Sequence, residues 1–137
     1  TIRHTQAHLL RAILEGCAYG LRDNLESFRS TGMAAFSQVR ISGGGARSPL
    51  WRQILADVLE TELITIRNDE GAAFGAALMA GVGCGVWADF DHAWREVVHM
   101  GETTLPQPDS FPLYRRQFRL YQEVSQKLKA ISHQIPD

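Results

Sequence analysis

Three consecutive glycines between a predicted strand and a predicted helix constrain this chain more than any other feature. Residues 38–42 have the pattern of a short strand, and glycines 43–45 follow directly. Ser48 is a natural N-cap, and Pro49 suits the first helical position, where an amide hydrogen would have no partner. A β-branched run at residues 62–66 predicts a second strand. This order predicts a right-handed parallel crossover, with the glycine loop at the carboxyl edge of the sheet, where open α/β sheets bind ligands.

The glycine loop is a candidate phosphate-binding loop. Glycines let backbone amides approach a phosphate closely, and a helix N-terminus adds partial positive charge. The loop is not a P-loop, because no Gly-Lys-Ser/Thr follows it. A dinucleotide fold also fits poorly, because Ser48 stands where a third glycine is needed and no acid ends the second strand near Arg67. A tight strand-to-helix turn without a ligand explains the same glycines equally well.

Two long amphipathic helices are predicted near the ends of the sequence. Apolar residues recur at threes and fours from about His4 to Ser30, which predicts one helix with a buried stripe and a stop at Gly32. That stripe consists of Leu9, Leu10, Ile13, Leu14, Cys17, Leu21, Leu25 and Phe28. A last helix is predicted from Phe111 to about His133, and its apolar side consists of Leu113, Phe118, Leu120, Tyr121, Val124 and Leu128.

The elements between these helices are shorter. The helix that starts at Pro49 is expected to end near Glu60, with Trp51, Ile54, Leu55, Val58 and Leu59 on its apolar face. We also predict a helix that begins with the capping residues Asn68, Asp69 and Glu70 and ends near Ala80, before the helix-breaking glycines Gly81, Gly83 and Gly85. A short helix is predicted at residues 89–98, and an extended loop at Pro106 and Pro108.

Composition excludes several classes of function. The chain has 137 residues and a formal net charge of −1, and its Lys and Arg residues are spread out, so neither nucleic acid nor an anionic membrane surface is an expected partner. Its apolar stretches are too short to span a bilayer. Cys17 and Cys84 lie far apart, which favours reduced, packed thiols of a cytoplasmic protein over metal ligands. The chain opens on Thr1 with a helical pattern close behind, so we expect a piece of a longer protein.

Several other residues invite a functional interpretation. His4 and His8 share a helix face, but without a third ligand nearby an exposed or capping pair is favoured over a metal site. Asp57 and Glu60 are better explained as a polar helix face than as paired catalytic carboxylates. Glu70 fits a ligand contact and a helix-dipole role equally well.

The three tryptophans, Trp51, Trp87 and Trp94, fit packing anchors better than a platform for stacking bases, because no basic patch accompanies them.

The residues around the glycine loop resemble a known family. The run from Ile41 to Val58, Ile-Ser-Gly-Gly-Gly-Ala-Arg-Ser-Pro-Leu-Trp-Arg-Gln-Ile-Leu-Ala-Asp-Val, resembles the adenosine-binding segment of FGGY carbohydrate kinases. The three glycines with Trp-Arg-Gln look most like the xylulokinase branch. Residues 8–15 are similar to the closing half of the family's second signature, and residues 70–77 resemble its Glu-Gly-Ala-Ala-x-Gly-Ala-Ala helix.

This resemblance implies an α/β fold: a partial ribonuclease H-like, actin-like ATPase domain, rich in helix and with a short parallel βαβ unit. Residues 1–137 would form the ATP-binding part of the family's C-terminal domain, and the sugar-binding domain and catalytic segment would lie upstream. The implied reaction transfers a phosphoryl group from MgATP to a hydroxyl of a ketopentose. Ribulose, gluconate and glycerol are alternative acceptors.

The resemblance also implies the site residues. Gly43, Gly44 and Gly45 would line the phosphates and ribose of ATP, and Ser48 and Gln53, together with Leu50, would border the adenine. No catalytic residue and no metal ligand is expected in this chain, so we expect it to have no kinase activity alone. ATP and Mg²⁺ are the implied cofactors, and the sugar would bind through the missing lobe.

A non-catalytic alternative is a binding or assembly module that packs against a partner through its long helices, with a homodimer as one outcome.

Overall fold

The computed structural model describes residues 4–32, 38–67 and 71–132. In chain order, the elements are helix α1 (Gln6–Ser30), strand β1 (Gln38–Ile41), a one-turn 3₁₀ helix (Gly44–Arg47), α2 (Pro49–Leu59), β2 (Glu62–Ile66), α3 (Gly71–Gly83), α4 (Phe90–Val97), β3 (Met100–Thr104), a second 3₁₀ turn (Pro108–Ser110) and α5 (Phe111–Ser132).

The described strands form one three-stranded sheet in the order β1-β2-β3. β1 and β2 run parallel, with Gln38 opposite Glu62 and Ile41 opposite Thr65, which confirms the predicted pair. β3 runs antiparallel to β2 and was not predicted. The sheet is therefore mixed, and the glycine loop leaves β1 at the same edge where β2 ends and β3 begins.

The chain divides into two compact units. The described part of the first comprises residues 4–32, 54–60 and 106–132, and that of the second comprises residues 38–53, 61–67 and 71–105. The first unit is helical, whereas the second contains the sheet, the glycine loop, α3 and α4.

Aromatic rings form much of the core of the first unit. Tyr19 of α1 lies 6.4 Å from Tyr114 and 6.2 Å from Phe118 of α5, measured between ring centroids. Tyr121 lies 5.7 Å from the same tyrosine. Burial raises the pKa of Tyr19, because the ionised phenolate would lose its hydration. This phenol therefore stays neutral to a higher pH than an exposed tyrosine would.

The buried stripe predicted for α1 is wrong for most of its members, and most of the apolar side of α5 is exposed as well. Leu9, Leu10, Ile13, Cys17, Leu21 and Phe28 of α1 are exposed, as are Leu113, Leu120, Val124 and Leu128 of α5. An apolar helix face is buried only where another element covers it, and in the described residues α1 buries Ala18 and Tyr19 instead. Cys84 is also exposed, so neither thiol is packed as expected.

The end of α2 is fixed by a left-handed residue and two arginines. Glu60 has a φ of 54°, a region that few residues other than glycine occupy. Its carboxylate accepts from Arg115 Nε at 2.8 Å and from Arg22 Nη1 at 3.2 Å. Arg22 also donates to the Val58 carbonyl at 2.8 Å, so it satisfies one of the last carbonyls of the helix.

Helix α3 continues past its predicted end. It runs through Gly81 to Gly83, and the ring of Trp87 packs against Gly81, where a side chain would otherwise stand. The predicted cap at residues 68–70 lies outside the described residues. Helix α4 begins as predicted, since the Asp89 side chain accepts from the His92 amide at 2.7 Å.

No helix in the described ranges is both long enough and apolar enough to cross a membrane.

Candidate functional site

The glycine loop depends on the backbone freedom of its first residue. Gly43 has φ 87° and ψ 176°, a conformation that residues with a Cβ rarely adopt. Its carbonyl accepts from the Ala46 amide at 3.0 Å, which closes the one-turn helix. Among the described residues, a Cβ on Gly44 would meet nothing within 4 Å, so they leave the space beside this backbone open. A ligand can therefore approach the main chain at Gly44 without displacing a side chain.

Ser48 joins this turn to α2 as the sequence predicts. It has an extended backbone, and its Oγ accepts from the Trp51 amide at 3.3 Å. Its carbonyl accepts from the Arg52 amide at 3.0 Å. The Trp51 ring lies 3.3 Å from the point where a Cβ on Gly45 would stand, so the indole packs against the loop. Ser48 is thus a helix cap, whatever further contacts it makes.

A cavity of about 660 Å³ opens beside the loop at this edge of the sheet. Its described lining residues are Ala46, Arg47, Pro49, Arg52, Thr65, Ile66, Arg67, Gly101 and Glu102. Three of these residues are arginines and one is a glutamate, so the lining is rich in positive charge. An anionic ligand matches such a lining better than a neutral one does.

The predicted site residues are close to this cavity in sequence, but are not among its described lining residues. The three glycines at positions 43–45 directly precede the lining residues Ala46 and Arg47, and Ser48 lies between the lining residues Arg47 and Pro49. Gln53 donates from Nε2 to the Leu105 carbonyl at 3.1 Å, so its amide is engaged with the chain itself. Leu50, in contrast, is half exposed. The structure thus brings the glycines and Ser48 together in one turn, with Gln53 further along α2.

Arg52 is the central polar residue of this region, and no separate role was predicted for it. It is only 9% exposed. Its guanidinium donates to the Ala46 carbonyl at 2.6 Å, to Glu102 Oε2 at 2.5 Å and to Thr104 Oγ1 at 3.4 Å. It therefore connects the turn after the glycines to β3. No local sequence pattern signals this role, because the Glu102 acceptor lies 50 residues away.

An irregularity in the β2–β3 pair determines where Glu102 lies. The register shifts between Ile64 and Ile66, and the Thr65 hydroxyl fills the resulting gap. Its Oγ1 accepts from the Glu102 amide at 2.7 Å. A Cβ on Gly101 would lie 2.3 Å from the same oxygen, so only glycine fits there. Such bulges change the direction of neighbouring side chains, here that of Glu102, which lines the cavity.

The other candidate residues have structural roles. The His8 ring accepts from the Thr5 amide at 3.1 Å, which confirms a capping role at the start of α1. Asp57 is buried and accepts from the Gln107 amide at 2.7 Å, so it has a structural role and is not a catalytic carboxylate paired with Glu60. Glu60 forms the arginine pairs described above. Glu70 lies outside the described residues.

The tryptophans pack as anchors. Trp87 Nε1 donates to Glu96 Oε2 at 2.9 Å, and Trp94 lies under the Arg40 guanidinium at 5.1 Å. Among the described residues, no group of three His, Cys, Asp or Glu side chains could hold a metal ion.

Comparisons with known proteins agree with this architecture. Residues 1–84 match the model of the C-terminal domain of the FGGY family of carbohydrate kinases. The chain is 31% identical over 133 residues to a xylulose kinase of Lactococcus lactis, of which it covers 26%. It is 35% identical over 134 residues to the L-xylulose/3-keto-L-gulonate kinase of Escherichia coli, of which it covers 27%. These alignments include 96% and 98% of this chain.

A solved structure shows the same fold. The crystal structure of xylulose kinase from Rhodospirillum rubrum aligns with a TM-score of 0.79 and 30% identity, over 97% of this chain and 27% of that one. The predicted α/β class, a part of the actin-like ATPase fold, is confirmed. The chain thus spans about a quarter of the length of these relatives. By its matched domain and its fold, it belongs to the FGGY family of carbohydrate kinases.

Proposed function

We propose that this chain carries the nucleotide-binding part of an ATP-dependent carbohydrate kinase that phosphorylates a ketopentose such as xylulose. One observation carries the proposal: a glycine loop with open space beside Gly44 sits next to an arginine-lined cavity at the carboxyl edge of parallel strands. Such an edge is where open α/β sheets bind ligands. The names of the relatives support a sugar kinase and favour xylulose as the acceptor.

In this proposal, the chain binds and orients the nucleotide. Backbone amides of Gly43, Gly44 and Gly45 face the phosphates and ribose, and beside Gly44 no described side chain keeps the ligand away. Arg47 and Arg67, which line the cavity, add positive charge near the phosphates. Ser48 and Gln53 border the adenine. ATP, when bound, supplies the phosphoryl group, and phosphoryl transfer depends mostly on positioning and on charge stabilisation.

The remaining groups belong to other parts of the protein in this proposal. The aspartate that takes the proton of the sugar hydroxyl and the residues that recognise the sugar lie upstream, in a segment that this chain does not include. Mg²⁺ arrives with the nucleotide, since magnesium is commonly held by phosphate oxygens with only one or two carboxylates. The reaction takes place in the cytoplasm. Ribulose, gluconate or glycerol would replace xylulose if the upstream segment recognised them.

Calorimetric titration of the chain with MgATP tests the nucleotide site. The informative variant is Gly44→Asp, which places a carboxylate where a phosphate is expected. A Cβ fits at Gly44 without contacts, so this variant tests charge and not folding. The matched control is Gly16→Asp in α1, where a Cβ also meets nothing within 4 Å. We expect binding that Gly44→Asp abolishes and Gly16→Asp preserves.

Three results would contradict the proposal. Binding that Gly44→Asp leaves unchanged would move the nucleotide away from the loop. Phosphorylation of xylulose by this chain alone would show that the catalytic groups are here and not upstream. Absence of MgATP binding would favour the assembly-module alternative. That second candidate draws on the exposed apolar residues of α1, among them Leu9, Leu10 and Ile13.

A further inference from the structure

We infer that Arg52 is the positioning residue of the glycine loop, which it holds from α2 through the carbonyl of Ala46. The inference rests on the proposed function, because the loop matters only if a nucleotide binds there. Arg52 does not have to touch the nucleotide. It acts through the backbone that receives it.

The contact with Ala46 fixes the end of the glycine turn. Ala46 lies within the one-turn helix Gly44–Arg47, whose last carbonyls lack the partners that a longer helix would provide. The Arg52 Nη1 atom supplies one at 2.6 Å. A glycine run is free to adopt many backbone conformations, so a fixed carbonyl at its end restricts the loop strongly. The loop would then be preorganised before any ligand arrives.

The guanidinium is itself held in place by β3. Its Nη2 donates to Glu102 and its Nε to Thr104, so three of its donor groups have different acceptors. Glu102 is in turn fixed through its amide by the Thr65 hydroxyl. A planar guanidinium can bridge acceptors in this way, whereas a lysine ammonium acts as a point charge. β3, the strand that the sequence did not predict, thus supports the loop.

Substitutions of Arg52 and of its partner separate this role from simple stability. The variants are Arg52→Gln, which removes the guanidinium, Arg52→Lys, which keeps the charge, and Glu102→Gln, which weakens the support. Arg40→Gln is the control, since Arg40 lies on β1 in the same sheet and its guanidinium covers Trp94 instead. For each variant of the 137-residue chain, hydrogen exchange at the Ala46 and Ser48 amides and the MgATP dissociation constant are measured.

We expect exchange at these two amides to become about tenfold faster or more in Arg52→Gln, because a hydrogen bond from a charged donor is lost. Glu102→Gln should have a smaller effect, because its side chain is 75% exposed. Arg52→Lys should restore part of the protection, and Arg40→Gln should equal the wild type. MgATP should bind more weakly in the same order.

Unchanged exchange at the loop in Arg52→Gln would overturn the inference. A loss of affinity without faster exchange would also overturn it, because Arg52 would then contact the nucleotide directly. If Arg52→Gln fails to fold, Arg52→Lys and Glu102→Gln provide the same comparison. A further outcome is that the wild-type chain binds no MgATP while the variants still show the expected order of exchange rates. That result would refute the proposed function but support the role of Arg52 in holding the loop.

Discussion

Asp57 accepts a hydrogen bond from the Gln107 amide while only 4% of the residue is exposed. Removal of its carboxylate in Asp57→Ala would leave that amide without this acceptor in a buried setting. We expect the free energy of unfolding to fall by about 1–3 kcal/mol in urea denaturation. Asp57→Asn should lose less, because its amide oxygen can still accept.

Asp109→Ala provides the control for this prediction, because Asp109 is exposed in the second 3₁₀ turn. Its unfolding midpoint should match that of the wild type. Equal midpoints for Asp57→Ala and the control would show that the Gln107 amide finds another partner.

Glu60 makes stability depend on pH. The hydrogen bond from Arg115 holds the pKa of this carboxyl below its ordinary value of 4.5, and the charge of Arg22 adds to the effect against partial burial. A carboxyl with a lowered folded pKa stabilises the fold fully above its unfolded pKa, and the contribution disappears as the pH falls through the folded value. The stability advantage of the wild type over Glu60→Gln should therefore shrink below about pH 4.5.

Chemical denaturation across an acidic pH series measures this difference. An advantage that stays constant as the pH falls would mean that Glu60 contributes through its shape and not its charge.

Residue roles were predictable where they follow from local geometry. Ser48 and the capping His8 act within one helical turn of their position, so local spacing was enough to predict them. The role of Arg52 depends on Glu102, 50 residues away, which no local pattern encodes. Asp57 and Gln107 are equally distant in sequence.

At the scale of elements, α3 offers a sharp comparison between two of its glycines. A Cβ on Gly81 would lie 2.2 Å from the Trp87 ring, whereas a Cβ on Gly75 would meet no described atom within 4 Å. Alanine is better than glycine in a helix by about 1 kcal/mol. We therefore expect Gly75→Ala to raise the melting temperature and Gly81→Ala to lower it, as followed by circular dichroism.

The double variant Gly81→Ala with Trp87→Ala tests the cause. Removal of the ring should make the added methyl group harmless relative to Trp87→Ala alone. If Gly81→Ala destabilises the wild type and the Trp87→Ala variant equally, its effect does not come from contact with this ring.

Most helices and the parallel strand pair could be predicted, because their apolar spacing and caps are local signals. β3 could not, since Met100, Gly101 and Glu102 lack the β-branched alternation of a strand. It forms because the edge of β2 offers unpaired backbone groups and Thr65 accommodates the irregular register. The prediction of a buried stripe on α1 failed because periodicity identifies an apolar face but not what covers it.

At the scale of the whole molecule, the exposed apolar face of α1 predicts self-association. Leu9, Leu10 and Ile13 are each more than half exposed. Contact with a second copy would remove this surface from water, which is favourable in proportion to the area buried. We expect sedimentation velocity to show association that increases with protein concentration, and Ile13→Lys to weaken it.

Asn24→Lys is the matched control, because it adds the same charge at an exposed polar position of the same helix. Association that both variants weaken equally would indicate general charge repulsion. A chain that stays monomeric throughout the concentration series would rule the contact out.

The helical unit is assembled from three separated segments, and this has a consequence for synthesis on the ribosome. Residues 106–132, which supply Tyr114 and Phe118, follow all of the residues of the sheet-containing unit. At about 5–20 residues per second, α1 emerges well before α5 does. Tyr19 therefore cannot pack against Tyr114 and Phe118 until the ribosome has synthesised the chain to residue 118. During that interval the nascent chain presents an unfinished aromatic core, a surface that chaperones recognise, whereas the strands of the other unit can already pair.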